Sequence, residues 1–171
     1  MLKKVGILLA SILIVSALWL TGLEVVYARV LAFSTNVVLD IGGRESNITV
    51  ERDTGTDLFR VHRTVDGRGS TYPQELQTIF YPTIIIIAWQ VFLAFVFGWK
   101  QFIRSGKWNI GIFFLCHVIF LLLLTAYHSS ETARFFYEML IESFYVIAIV
   151  LIITDNIRNP GMFINTGSQK V

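Results

Sequence analysis

The sequence is poor in charge. Asp, Glu, Lys and Arg together make up 15% of its 171 residues, against about a quarter in ordinary soluble domains. With a hydrophobic content of 54% beside it, that shortfall argues against a freely soluble globular domain. Net charge is only +2 and its contributors are scattered, so the basic footprint of a nucleic-acid-binding chain is missing. Cysteine is nearly absent: Cys116 stands alone inside an apolar run, which excludes a disulfide framework. No internal repeat is visible, which argues against an independent transporter, a class commonly built from repeated halves.

What is abundant is hydrocarbon, in runs of about 18 residues or more, long enough to cross a bilayer core of about 30 Å as helices. Lys3 and Lys4 precede an apolar run over 6–20 broken only by Ser11 and Ser16. A basic start before such a run fits either an uncleaved first span or a signal peptide cut near Val26-Tyr27-Ala28. The length of the run, and the hydrophobicity that resumes at Val30, favour the uncleaved span. From 22 to 41, Glu24, Ala28, Ala32, Thr35 and Asn36 share one side at helical spacing, and larger apolar residues take the other. That pattern fits a helix extension that packs on its neighbours or lies along the membrane surface.

The stretch 40–77 is the polar part of the chain. Ser46-Asn47-Ile48-Thr49-Val50-Glu51 alternates with period two, as does Phe59-Arg60-Val61-His62-Arg63-Thr64-Val65, so both read as strands. Between them, Asp53-Thr54-Gly55-Thr56-Asp57 is turn chemistry. Its Asp-Thr-Gly-Thr string matches aspartic proteases by letters, but Glu51-Arg52 precede it where that family has apolar residues. A two-stranded hairpin closed by Gly67-Arg68-Gly69 is therefore expected, and it needs support because an isolated hairpin is marginal in water. Thr71-Tyr72-Pro73-Gln74 reads as a helix start, with Thr71 as N-cap. Further spans are expected over 83–97, 109–127 and 135–154, joined by a basic loop over 99–108 and a turn at His128-Ser129-Ser130-Glu131.

All five lysines fall on the N-terminus, the basic loop or the tail. Positive charge in short loops stays cytoplasmic, which places both termini inside and 40–77 outside. The expected fold is an all-α membrane protein: a four-transmembrane-helix bundle with a small extracytoplasmic β-hairpin module between helices 1 and 2. Its parts are the first span with its amphipathic extension (1–39), the polar module (40–77), a three-helix block (78–157) and a cytoplasmic tail (158–171).

Ionisable groups inside spans are costly and are functional candidates by default. Glu138 and Glu142 are four apart on the last helix, and His117 and Gln90 fall at a similar depth on the two before it. Gln90, His117, Glu138 and Glu142 form the candidate intramembrane cluster, either a proton relay, metal or substrate site, or a set of interhelical hydrogen bonds. No zinc-ligand spacing is present. Cys116 and His117 point about 100° apart on a helix, so they are not a nucleophile and base. Ile48, Val50, Phe59 and Val61 on the hairpin form the candidate partner-contact face. No catalytic residue, metal or cofactor is assigned.

The arrangement resembles the small membrane proteins that accompany exosortases, the multi-span enzymes that sort C-terminally tagged proteins in Gram-negative bacteria. The likeness lies in one span running into Tyr27-Ala28-Arg29-Val30-Leu31-Ala32, a short external β module, and Phe80-Tyr81-Pro82-Thr83 at the mouth of a three-span block. Leu115-Cys116-His117 differs from the exosortase Cys-Ser-Gly motif, so no catalytic residue carries over. The resemblance implies an accessory or scaffold subunit of a bacterial inner-membrane machinery, with the bilayer and another membrane or extracytoplasmic protein as partners. The alternative is an intramembrane enzyme or transport component built on the His/Glu cluster.

Overall fold

Four apolar stretches long enough to cross a membrane fold as helices, and the polar stretch after the first folds as a small sheet. A computed structural model describes residues 2–44, 46–53, 56–65, 68–75 and 77–158; part of the expected turn (Thr54, Gly55), Gly67 and the tail beyond Arg158 lie outside these. Helix α1 (Leu2–Leu18) passes through a π turn at Trp19–Leu23 into α2 (Glu24–Ile41). Strands β1 (Ser46–Asp53), β2 (Thr56–Val65) and β3 (Arg68–Glu75) follow, then α3 (Gln77–Phe97), α4 (Trp99–Ala126) and α5 (Glu131–Arg158).

Gly22 takes φ 115° inside the π turn. A side chain would strain that conformation, so the helix bends there without ending. The apolar stretch Lys3–Ile41 has 39 residues, about 58 Å of helix, nearly twice a hydrocarbon core. Helix α1 packs against α3, which leaves α2 to support the sheet and α4.

The small and polar stripe of α2 is its inner face. Ala28, Leu31, Ala32, Thr35 and Leu39 are buried, whereas Val26, Val30, Phe33 and Val37 are exposed. Small residues let backbones approach closely, and the buried Thr35 hydroxyl donates to Leu31 O (2.8 Å). Of the two readings for this segment, packing on neighbours accounts for the inner side.

The sheet is an antiparallel meander in the order β1-β2-β3. In register, Ile48 faces Val61 and Val50 faces Phe59, so these four project from the same side of adjacent strands. Edge strand β1 is closed by a side chain of α2. Asn36 Nδ2 donates to Ile48 O (2.9 Å), and Ile48 N–H donates to Asn36 Oδ1 (2.9 Å). One amide thus does the work of a neighbouring strand at Ile48, closing the edge at that residue.

Two expectations are corrected here. The hairpin has a third strand: Thr71-Tyr72-Pro73-Gln74 lies in β3, with Pro73 opposite Arg60, and the helix begins only at Gln77. Proline lacks the N–H a central strand needs, but β3 is an edge strand, where it is tolerated. Pairing with β2 overrides the local capping signal. The basic segment 99–108 is likewise the start of α4, not a loop. Gly98 at φ 86° makes the reversal by itself. Beyond it Lys100, Arg104 and Lys107 face outward while Ser105, Gly106 and Asn109 are buried, the period of an amphipathic helix. The turn before α5 is as expected, with Ser130 Oγ accepting from Ala133 N–H (3.2 Å) as an N-cap.

The outer face of the sheet is polar. Thr49 donates to Glu51 Oε1 (3.0 Å), Arg60 Nε donates to Glu51 Oε2, and His62 Nε2 lies 3.4 Å from Glu51 Oε1. The Thr49 hydrogen bond, followed by the Arg60 contacts, holds the Glu51 carboxyl below the usual carboxylate range. A carboxylate depressed in the folded state stabilises it above the unfolded pKa, and loses that contribution as pH falls through the folded value. Amide protection factors in β1 and β2, corrected for the intrinsic pH dependence of exchange, should therefore fall below about pH 4.5, the usual carboxylate range. In Glu51→Gln that added acid sensitivity should be absent.

Candidate functional site

His117 is the centre of an aromatic layer. It is 1% exposed, and its ring stacks on Phe144 of α5 (centroids 4.6 Å apart, planes 17°). Phe113, Phe80 and Tyr27 meet it edge-on at 4.9, 5.7 and 5.8 Å. Phe80 also meets Trp19 and Phe59 of β2, each at 5.9 Å. His117 Nδ1 lies 3.0 Å from Phe113 O. A carbonyl oxygen only accepts, so Nδ1 carries the proton, and Tyr27 Oη at 3.3 Å is a second acceptor for it or a close neighbour. The ring thus joins α2, α3, α4 and α5 in one layer, with one nitrogen held by its own helix.

The four residues expected to form one cluster are distributed among three places. His117 is in the aromatic layer. Glu138 and Glu142 do share a face, as their spacing requires, but it is the outer face of α5. The inner face carries Ala133, Tyr137, Phe144, Ala148 and Asp155. Glu138 accepts from Arg134 Nε (3.0 Å) and Tyr127 Oη (3.2 Å) in an exposed ion pair. Glu142 is exposed. Gln90 belongs to a second polar layer nearer the other end of the bundle. Equal depth therefore does not bring these groups together, because α5 is rotated to present aromatics and alanines inward.

The expected partner-contact face is also corrected. Ile48, Phe59 and Val61 are at most 1% exposed, with half-buried Val50 packed beside them. They belong to the same core as Ala28, Leu31 and Phe80. The support that a small hairpin needs comes from the chain's own helices and third strand.

The second polar layer was not foreseen beyond Gln90. Ser105 Oγ donates to Asp155 Oδ2 (2.7 Å), which also accepts from Trp89 Nε1 (3.1 Å). The Ser105 oxygen in turn accepts from Gln90 Nε2 and Asn109 Nδ2, both at 3.1 Å. Ser105, Asn109, Gln90 and Asp155 are all buried, and together they tie α3, α4 and α5. A cavity of about 520 Å³ adjoins them, with Arg104, Trp108 and Arg158 on its wall. The usable signals were Trp89-Gln90 inside an apolar run and Ser105/Asn109 at i, i+4. Asp155 sits just past the expected end of the span, which disguised it as a terminus.

Chemically, both layers are built to hold helices. The serine is saturated, with one hydrogen donated and two accepted, and Asp155 Oδ2 is shared by two donors. Among the described residues, no three His, Cys, Asp or Glu side chains converge as a metal site would need. Comparisons with protein-family models, curated proteins and solved structures give no match for this chain.

Substitutions at two positions test the layers. Ser105→Ala leaves two amide donors without their acceptor and should cost about 1–3 kcal/mol, read as thermal unfolding in mild detergent. His117→Phe retains the ring and should cost about 1 kcal/mol for its hydrogen bond. His117→Ala should cost about 2–5 kcal/mol, the range for deleting a large buried side chain. Equal losses in the two His117 variants would show that the ring nitrogens, and not its packing, hold the layer.

Proposed function

We propose that the chain is an accessory or scaffold subunit of a bacterial inner-membrane machinery, of the kind its layout shares with exosortase-associated proteins. In this reading the four helices cross the bilayer, both termini are cytoplasmic and the sheet is extracytoplasmic. The distribution of lysines supports that orientation.

One observation carries the reading. Glu142 follows Glu131 by 11 residues and precedes Arg158 by 16, about 16 and 24 Å from the two ends of α5. It is exposed, among the exposed apolar side chains of Met139, Val146 and Ile149. A carboxylate at that depth facing lipid costs roughly 2.5–3.5 kcal/mol on insertion scales and more in isolated-helix calculations. Contact with a polar group on another membrane subunit offsets that cost. Buried Gln90, Ser105 and Asp155, by contrast, are engaged in hydrogen bonds between helices, which favours a binding role over the alternative of intramembrane catalysis or transport.

A photoreactive residue in place of Val146, one turn from Glu142, tests this in native membranes. Irradiation should give a discrete adduct with a second membrane protein. Adding Glu142→Gln should lower its yield about 3- to 15-fold, the range spanned by intramembrane polar contacts. Adducts with lipid alone would overturn the proposal. So would a His117→Phe variant that folds and assembles normally while a cellular activity is lost.

A further inference from the structure

A cavity of about 710 Å³ opens where the sheet meets the α4–α5 turn, within the volume range typical of ligand sites. Its polar part is made by Arg44, Arg63, Ser46, Ser129, Ser130 and Thr132. Its apolar part includes Ile119, Leu122, Leu123 and Phe136. Among the described residues, no Asp or Glu lines it. The polar side chains among its described lining are therefore cations and hydroxyls, and the rest of that lining is hydrocarbon.

The position of each part follows from the fold. Arg63 extends from β2 and reaches α4, where Nη1 donates to Thr125 O (3.4 Å). That contact fixes one guanidinium across the floor. Arg44 sits exposed in the link between α2 and β1, held by its backbone N–H to Leu39 O (3.1 Å). Ser130 caps α5 from the same rim, and the positive end of a 28-residue helix adds to the field there. Ile119 and Phe136 are exposed, so the apolar wall runs on into the outer surface of α4 and α5.

We propose that this cavity binds a phosphate-bearing membrane lipid, its phosphate against Arg44 and Arg63 and its acyl chains along Ile119, Leu122, Leu123 and Phe136. Guanidinium groups match phosphate oxygens with paired, charge-assisted hydrogen bonds. The apolar wall selects a lipid over a free anion, because an inorganic phosphate leaves it in water. The site rests on the reading that the helices span a bilayer, and it holds the sheet module at the headgroup level.

The test uses the full chain purified in mild non-ionic detergent, titrated with dioleoyl phosphatidylglycerol and followed by native mass spectrometry. One lipid should be retained. Arg44→Glu should weaken retention at least about tenfold, the equivalent of one charge-assisted contact, with Arg44→Lys in between. Dioleoylglycerol, which lacks the phosphate, should bind at least tenfold more weakly than the phospholipid. Millimolar inorganic phosphate should not displace the bound lipid. Equal retention by wild type and Arg44→Glu overturns the site, as does equal binding of dioleoylglycerol or displacement by free phosphate. Phe136→Ala, on the lipid-facing wall and away from the sheet contact, supplies a second variant that should lose retention without loss of fold. Extraction of the wild type from membranes by alkaline carbonate is a separate readout. It would overturn the membrane-spanning reading itself, whatever the lipid result.

Discussion

The fold depends on the packing of aromatic rings around His117. Trp19 at the bend, Tyr27 on α2, Phe59 on β2, Phe80 on α3, Phe113 on α4 and Phe144 on α5 form one continuous set of ring contacts. Helices α2 to α5, the bend after α1 and the central strand all contribute to it. Edge-to-face and offset pairs add about 0.5–1.5 kcal/mol each beyond their buried area, so the layer fixes relative positions that apolar packing alone would leave free to slide. A histidine suits its centre. Its flat ring stacks like a phenylalanine, and Nδ1–H returns to the backbone of its own helix.

The second constraint is the sheet's edge. A three-stranded sheet of this size has little core of its own, and its buried face is completed by α2 and α3. Asn36 holds α2 and β1 together through both its amide groups, at the level where Thr35 and Ala32 let the helix come close. The kink at Gly22 turns α2 out of line with α1 and so directs that polar stripe at the strand. Bend, small-residue stripe and amide pairing act together, and each loses its purpose without the others.

His117 and the group of Gln90, Ser105, Asn109 and Asp155 lie in two layers at different heights. The aromatic layer holds the sheet end. The Ser105–Asp155 layer holds the other, where a single serine oxygen joins donors from two helices to a carboxylate on a third. Hydrogen bonds of this kind are a known means of fixing helices that apolar packing leaves equivalent. What remains outward is mainly apolar, interrupted midway along α5 by Glu142 and near the sheet by the arginine-lined cavity. Both are the places where we propose that a second molecule binds.

The sequence by itself determined the number and rough placement of the apolar helices, the strand character of 46–51 and 59–65, the serine cap before α5 and the shared face of Glu138 and Glu142. Each of these follows from local periodicity or local capping, which depend only on near neighbours in the chain. Tertiary structure decided the rest. β3 formed because β2 offered a partner, against the helix-start signal of Thr71–Gln74. The 99–108 segment became helix because Gly98 turns the chain in one residue. Ile48, Phe59 and Val61 became core because α2 covers them. Rotation of α5 sent Glu142 outward and brought Asp155 to Ser105, a pairing across 50 residues that no local pattern contains. Depth along a helix can be counted from sequence, but the direction a side chain faces is set by which neighbours pack, and that is a property of the whole bundle.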